Sequence, residues 1–324
     1  MTGELGIIEV GEPDAPGVTL GAVAFAYTYD KDKNLDRYEG LVETAAGRGV
    51  DLLVFPELGL NGAVWNAAGA WEGPPEALRH HYETSETIPG PITDRLCSIA
   101  GRHGMVLAVH MTERHRHYGK GKGGLYSSAV LLSGDGILHV HRKVHIAGPE
   151  RHVFRNGREI GAVDTPIGRM AMAICYDIVF PETARVAAVE GADILLFQTA
   201  WSQSFDPPIL GNDAAFASKS NYSLGALVGV RAFENQMWIV MSSAAGEDER
   251  LGLTWWGEAR IVGPDGVTRV QTPLGEEGMA IAHGCEIDEE IVRSRIQTYW
   301  GDSFLFDRRP RAYSSIADED RLYP

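Results

Sequence analysis

Cysteine is scarce in this chain. Cys97, Cys175 and Cys285 are the only three among 324 residues, an odd number at wide separations. That excludes a disulfide-stapled secreted scaffold and a CxxC zinc site, and it fits a reducing cytoplasm. Long apolar runs are missing as well. No stretch approaches the ~20 residues that cross a bilayer, and the opening Met1-Thr-Gly-Glu-Leu-Gly-Ile-Ile-Glu9 lacks the basic-then-apolar order of a secretion signal. A soluble, untargeted protein with no membrane partner is expected. Positive charge is in short supply: 29 Lys and Arg stand against 44 Asp and Glu, a formal charge of -15. Such a surface repels a phosphate backbone, which excludes nucleic acid as a natural partner. No repeat of solenoid length appears, and no long linker divides the chain. What is present, 44% hydrophobic and 9% aromatic residues, suffices for one large core.

Residues 1–17, rich in glycine, proline and acid, read as a loose N-terminal extension. From Val18 a regular beat begins. Buried-strand patterns at 18–26, 51–55, 105–111, 170–174 and 194–197 interleave with helical spacing at 34–48, 92–102 and 182–190. Two hairpins are expected, one across Ser133-Gly-Asp-Gly136 and one across Pro264-Asp-Gly266. Alternating helices and strands indicate an α/β class, and the hairpins require mixed sheets, so two sheets with outer helices fit better than a parallel barrel. The expected organisation is one domain over 18–298 with a tail at 299–324. Stretches 61–89, with Trp65, Trp71 and Tyr82, and 202–224, with Pro207 and Pro208, read as insertions, either pocket rims or surface excursions.

Three reactive side chains close three apolar strands. Cys175 ends Arg169-Met-Ala-Met-Ala-Ile-Cys175 just before a helix that starts at Pro181, a placement suited to a nucleophile, although a lone cysteine is more often a buried hydrophobe. An unperturbed thiol is mostly neutral at pH 7 and needs a base. Glu57, presented by Asp51-Leu-Leu-Val-Phe-Pro-Glu57, is the best candidate, against the plainer reading of a solvated strand end. Lys143, closing Ile137-Leu-His-Val-His-Arg-Lys143, is suited to steadying an oxyanion. Glu150 can pair with Lys143, hold Glu57, orient water or simply bind Arg151 or Arg155. Trp201 walls an acyl pocket or fills core. His139, His141 and His145 lack the acidic companions at diagnostic spacing that a metal centre needs. The basic, glycine-rich run 114–122 matches no P-loop and reads as a solvated loop.

In order and spacing, Phe55-Pro-Glu57, His141-Arg-Lys143-Val-His145 and Cys175-Tyr-Asp-Ile-Val-Phe-Pro-Glu182 resemble the three catalytic blocks of the nitrilase superfamily of carbon-nitrogen hydrolases. The likeness continues through Gly191-Ala-Asp-Ile-Leu-Leu-Phe197, Arg231-Ala-Phe-Glu-Asn-Gln236 and Ile261-Val-Gly-Pro-Asp-Gly266 to Asp307-Arg-Arg-Pro310. The resemblance implies a four-layer αββα sandwich and a Glu57, Lys143 and Cys175 triad. It places Glu150 at the second glutamate common in the family and the Tyr176 backbone N–H at the oxyanion, and it implies no metal and no organic cofactor.

The same resemblance points to the amidase-like branch, because Tyr176-Asp177 follows the nucleophile where nitrile hydrolases commonly carry tryptophan and glutamate. The expected reaction converts a small carboxamide to a carboxylic acid and ammonia through a cysteine thioester. N-carbamoyl (ureido) hydrolysis and nitrile hydrolysis use the same triad and stay open, as do two readings from other classes, an acyltransferase and a catalytically silent ligand-binding scaffold. The family commonly assembles through helices beside the sheet. With Trp300, Phe304 and Phe306 in a tail too apolar to dangle, a homodimer or larger homo-oligomer is expected.

Overall fold

The computed structural model describes residues 5–63, 75–115, 124–203, 214–296 and 303–318. Two mixed sheets dominate. The first contains β1 (Gly6–Val10), β2 (Val18–Ala24), β3 (Leu52–Val54), β4 (Val106–Arg114), β5 (Leu125–Ser133), β6 (Gly136–Arg142) and, late in the chain, β15 (Gly278–Cys285). Its order is β1-β15-β2-β3-β4-β5-β6. The second is built from β7 (Ala162–Thr165), β8 (Gly168–Ile174), β9 (Ile194–Thr199), β10 (Trp238–Ser243), β13 (Arg260–Val262) and β14 (Thr268–Gln271), in the order β14-β13-β10-β9-β8-β7. A short ribbon, β11 (Glu247–Asp248) with β12 (Leu253–Thr254), lies between β10 and β13 in sequence.

Alternation along the strands decides the layering. Leu52 and Val54 of β3 and Met170, Met172 and Ile174 of β8 meet in one core between the sheets. Leu53 turns the other way and packs with Tyr38 and Leu41 of α1 (Lys31–Ala46) and Leu96 and Ile99 of α3 (Pro91–His103). Ala171 and Ala173 do the same on the second sheet, under Ala184 and Ala187 of α4 (Pro181–Val189) and Val228 and Ala232 of α5 (Ala214–Asn235). A period of two puts one side chain of each pair in the central core and its neighbour under a helix. The result is an αββα sandwich, as the strand and helix pattern implies. Two further helices, α2 (Pro75–Thr84) and α6 (Ile287–Ile296), flank this frame.

The outer elements begin and end close to their local signals. Asp30 caps α1 by accepting the Lys33 N–H. Gly104 closes α3 in the left-handed region at φ 63°. Two expectations need correction. Gly6–Val10 lies inside the supposed loose extension, yet it pairs in parallel with β15 as an edge strand. Its residues are almost all exposed, so no buried face marked it in the sequence. The stretch 202–224 is not all connection, since α5 starts at Ala214. Trp65, Trp71, Pro207, Pro208 and the basic run at 116–123 lie outside the described residues. No described helix is long and apolar enough to cross a membrane.

Parallel pairing of β2, β3 and β4, and of β8, β9 and β10, sends the carboxyl ends of β3, β8 and β9 to one rim. β6 runs antiparallel to β5 and therefore in the same direction as β3 and β4, so its carboxyl end reaches the same rim.

Candidate active site

Each residue of the expected triad follows a strand end. Phe55 still donates its N–H to the Ala108 carbonyl at 2.9 Å, prolonging the β3 ladder by one residue. Pro56 has no N–H to continue it, the chain peels away, and Glu57 is delivered to the rim. Leu58 then turns at φ 57°, a left-handed conformation that a bulky residue rarely holds. Lys143 follows β6. Its N–H binds the Ser127 carbonyl at 2.9 Å and its own carbonyl accepts the Gly157 N–H at 2.7 Å. A Cβ at Gly157 would collide with the Arg142 carbonyl, so only glycine permits that close approach. Cys175 follows β8 at φ 46° and opens a 3-10 turn, Cys175–Val179. Two of the three described non-glycine residues with positive φ thus lie at this rim, the third being Gln236.

The side chains converge. Lys143 Nζ donates to Glu57 Oε1 at 2.7 Å and to both Glu150 oxygens at 2.8 Å. Lys143 is 0%, Glu57 1% and Glu150 6% exposed, so this is one ammonium clamped between two carboxylates out of contact with bulk water. The other Glu57 oxygen accepts the Ala200 N–H at 2.8 Å, and Glu150 Oε2 accepts the Ala147 N–H at 2.9 Å. Glu150 comes from a 3-10 turn, Gly148–His152, and binds Lys143, not Arg151 or Arg155 as the alternative would have it.

Burial alone would drive the Lys143 pKa down. The charges of Glu150 and Glu57, with Cys175 adding to them, outweigh it and hold the ammonium well above the usual lysine value. Burial pushes the Glu150 carboxyl up, and the neighbouring Glu57 charge adds to the rise while Lys143 opposes it. Cys175 keeps a partly exposed face, yet protein packs closely about its thiol. That burial, reinforced by Glu57, raises its pKa far above the ordinary value, with Lys143 pulling the other way. The balance favours the neutral thiol over the thiolate.

Asp177, fully buried, ties the nucleophile's turn to the lysine's loop. One oxygen accepts the His145 N–H at 2.9 Å and His145 Nδ1 at 2.8 Å; the other accepts the Ile174 N–H at 3.1 Å and lies 3.3 Å from His141 Nε2. Burial would raise this carboxyl, but the hydrogen bonds from His141 and His145 dominate and hold it well below the usual range. His145 also stacks on Phe180, with ring centroids 3.9 Å apart, and Tyr176 meets the same ring edge-on. Asp177→Ala leaves the Ile174 and His145 N–H groups without their acceptor, at about 1–3 kcal/mol each. We expect its melting transition to fall and alkylation of Cys175 to slow, with Asp177→Asn affected less; wild-type stability and thiol reactivity in Asp177→Ala would refute the tie.

Trp201 is half-buried and packs against the outer core that contains Phe197 and Leu224. His139, His141 and His145 do not gather round a point, and among the described residues no group of three or more metal-ligating side chains is placed to hold an ion. Residues that no motif announces complete the rim. The Ala200 amide holds Glu57, and Gln198 braces the strand before it by donating to the Phe55 carbonyl at 2.6 Å. The buried Thr199 hydroxyl lies beside Cys175 and lowers its thiol pKa slightly, although no hydrogen bond of full geometry joins them.

A buried carboxylate, a cation beside it and a thiol on a strained turn are the groups that nucleophilic chemistry at a cysteine needs. Comparison with known proteins places the chain in a family. The profile of the family described as carbon-nitrogen hydrolase matches residues 18–294. Among relatives, an (R)-stereoselective amidase of Pseudomonas sp is 29% identical over 86% of this chain and 87% of its own. A chloroplastic omega-amidase of Arabidopsis thaliana is 28% identical over 87% of this chain and 71% of its own. The crystal structure of a carbon-nitrogen hydrolase from Helicobacter pylori G27 superposes with a TM-score of 0.75 at 22% identity, covering 93% of this chain and 98% of that one. The chain belongs to the carbon-nitrogen hydrolase family. It is an enzyme of the nitrilase superfamily, as the three motif blocks imply.

Proposed function

We propose that the protein hydrolyses a small carboxamide to a carboxylic acid and ammonia through a thioester on Cys175. The observation that carries this is the Lys143 ammonium clamped between Glu57 at 2.7 Å and Glu150 at 2.8 Å, with the neutral Cys175 thiol within reach of all three charges.

Because the thiol is neutral at rest, its proton leaves as sulfur attacks. Glu57 takes that proton while the C–S bond forms and the carbonyl electrons move onto oxygen. The Lys143 ammonium and the Tyr176 N–H steady the oxyanion. Collapse breaks the C–N bond, Glu57 returns the proton to the departing nitrogen, and ammonia leaves an acyl group on sulfur. Water then attacks the thioester as Glu57 removes one of its protons. Collapse of the second oxyanion breaks the C–S bond and releases the acid, and Glu57 gives the proton back to Cys175. Glu150 grips the ammonium from the opposite side with both oxygens, so Lys143 stays charged and aimed throughout. It needs no further role.

The amide is preferred over a nitrile or ureido substrate for two reasons. Tyr176-Asp177 follows the nucleophile as in amidase-like members, and the two relatives compared above carry amidase names. An ammonia-release assay on a panel of small amides, ureido acids and nitriles tests the choice. Turnover is expected on amides first; faster release from ureido acids or nitriles overturns it. Three free cysteines fit a reducing cytoplasm.

We further propose a homodimer formed by one hydrolase domain over 18–298, with its tail in the interface. Ser303 and Phe304 dock on Gln236, and Phe304 meets Phe233 of α5 at 5.4 Å. Val230 and Phe233 of α5 are exposed apolar residues beside this docked segment, and Phe306, two residues on from Phe304, is 82% exposed, apolar surface suited to a second copy of the chain. Light scattering should give a dimer or larger, and Phe306→Glu should shift it toward monomer. A wild-type monomer would refute the interface.

A further inference from the structure

We propose that His110 is a positioning residue that sets Glu57 and Lys143 in register, holding the base and the ammonium at one spacing through a single line of hydrogen bonds. The proposal rests on the amidase reading only in taking Glu57 as the base and Lys143 as its partner.

His110 lies in the middle of β4, in a run that otherwise reads as apolar, and it is fully buried. Its ring is spoken for on both sides. The Leu58 N–H donates to His110 Nδ1 at 2.9 Å, so the ring proton must sit on the other nitrogen. That nitrogen, Nε2, lies 2.7 Å from Ser127 Oγ and donates to it. Ser127 in turn accepts the Lys143 N–H on its backbone carbonyl at 2.9 Å. One line therefore runs from the residue after Glu57, through the imidazole, to the residue that fixes the Lys143 backbone. Burial first, and then the charge of Lys143, hold the imidazole well below its ordinary pKa, which keeps it in the neutral tautomer this line requires.

The line is placed where it matters. Leu58 holds φ 57°, a conformation that a leucine leaves readily unless something fixes its N–H. Without the Nδ1 acceptor that N–H is buried and unpaired, and the turn has a reason to relax. Relaxation there swings Glu57, the adjoining residue, away from Lys143 and Cys175. Active-site groups displaced by ~1 Å lose on the order of 100-fold in rate. A supporting shell that merely fills space would not have this effect.

The test separates position from packing. His110→Leu keeps bulk and removes both hydrogen bonds; His110→Asn returns an acceptor near the Nδ1 position. Ser127→Ala, a smaller change, tests the line from its far side should His110→Leu fail to fold. For each variant, kcat and KM on the best amide are measured beside the rate at which iodoacetamide alkylates Cys175, read by peptide mass spectrometry so that Cys97 and Cys285 are counted apart. We expect kcat of His110→Leu to fall about 100-fold with KM within about 2-fold, and alkylation of Cys175 to slow in parallel. His110→Asn should recover most of both rates, and Ser127→Ala should lose several-fold in kcat. A folded His110→Leu with wild-type kcat and alkylation, a His110→Asn as impaired as His110→Leu, or an unaffected Ser127→Ala would each overturn the proposal. Alkylation needs no amide. If wild-type enzyme hydrolyses none of the amides but the alkylation pattern holds, the substrate reading fails and the role of His110 stands.

Discussion

Cys175→Ala is expected to release no measurable ammonia from any substrate the wild type accepts, and to melt within about 1 kcal/mol of it. The chemical half follows from the balance of the steps: without sulfur there is no C–S bond, and Glu57 with water must attack an amide directly. An amide is a far poorer electrophile toward water than the thioester that water meets in the natural cycle. The stability half follows from the turn. Cys175 sits at φ 46°, so its strain comes from having a Cβ at all, and alanine keeps that Cβ. What is lost is one sulfur atom from a partly exposed position, worth ~1 kcal/mol or less. Asp177 and the 3-10 turn it supports are untouched. Ammonia assays and thermal melts on the same preparation check both halves. Residual turnover above a few per cent in this variant would remove the thioester from the mechanism and leave Glu57 as the centre of the chemistry.

Much of this was legible because the informative side chains are displayed by simple periodic elements. β3 and β8 read as apolar runs and β6 as a half-apolar one, and each is followed within three residues by a group able to do chemistry, Glu57, Cys175 and Lys143. The interleaving of helices with buried strands and the two hairpins pointed to two mixed sheets with outer helices, and β8, buried on both faces, sits where that arrangement requires. What stayed hidden was of two kinds. Gly6–Val10 carries no clear apolar stripe because it adds to the sheet's edge mainly through main-chain bonds, with Ile7 alone of its residues half-buried against the core. Main-chain bonds have no residue signature. The same is true of the Ala200 amide on Glu57, which any residue but proline could supply. The second kind is convergence. His110 looks like an interruption in an apolar strand until β4, β5 and the turn after β3 are brought together, and Asp177 looks like a neighbour of the nucleophile until His145 closes on it. Trp201, two residues past β9, packs in part against the outer core, a contact that an aromatic beside a site does not announce.

Lys143→Met should be the most damaging single change at the rim, in activity and in stability together. Among the described residues the lysine is the one cation paired with Glu57 and Glu150, and all three are buried. Methionine preserves much of the length and none of the charge, so two carboxylates are left side by side without a counter-ion. Breaking a buried ion pair from one side costs about 3–5 kcal/mol. The pair escapes part of this by sharing a proton, since burial and the Glu57 charge already raise the Glu150 carboxyl even with Lys143 opposing them. The sign of the pH dependence follows. A folded state that binds this proton more tightly than the unfolded chain loses stability as pH rises through the raised value, so the deficit of Lys143→Met against wild type should be larger at pH 8 than at pH 5. Activity fails for two separate reasons: the oxyanion loses a donor, at ~100-fold to 1,000-fold, and Glu57 no longer holds a free pair of electrons for the thiol proton, at ~100-fold or more. The double variant Lys143→Met with Glu150→Gln separates them. Removing one carboxylate should restore much of the stability and flatten its pH dependence, and by freeing Glu57 from the shared proton it should recover the ~100-fold lost with the base, while the ~100-fold to 1,000-fold lost with the oxyanion donor remains. If the double variant regains wild-type kcat along with stability, Lys143 serves only to neutralise its neighbours and the oxyanion must be held by the Tyr176 amide alone.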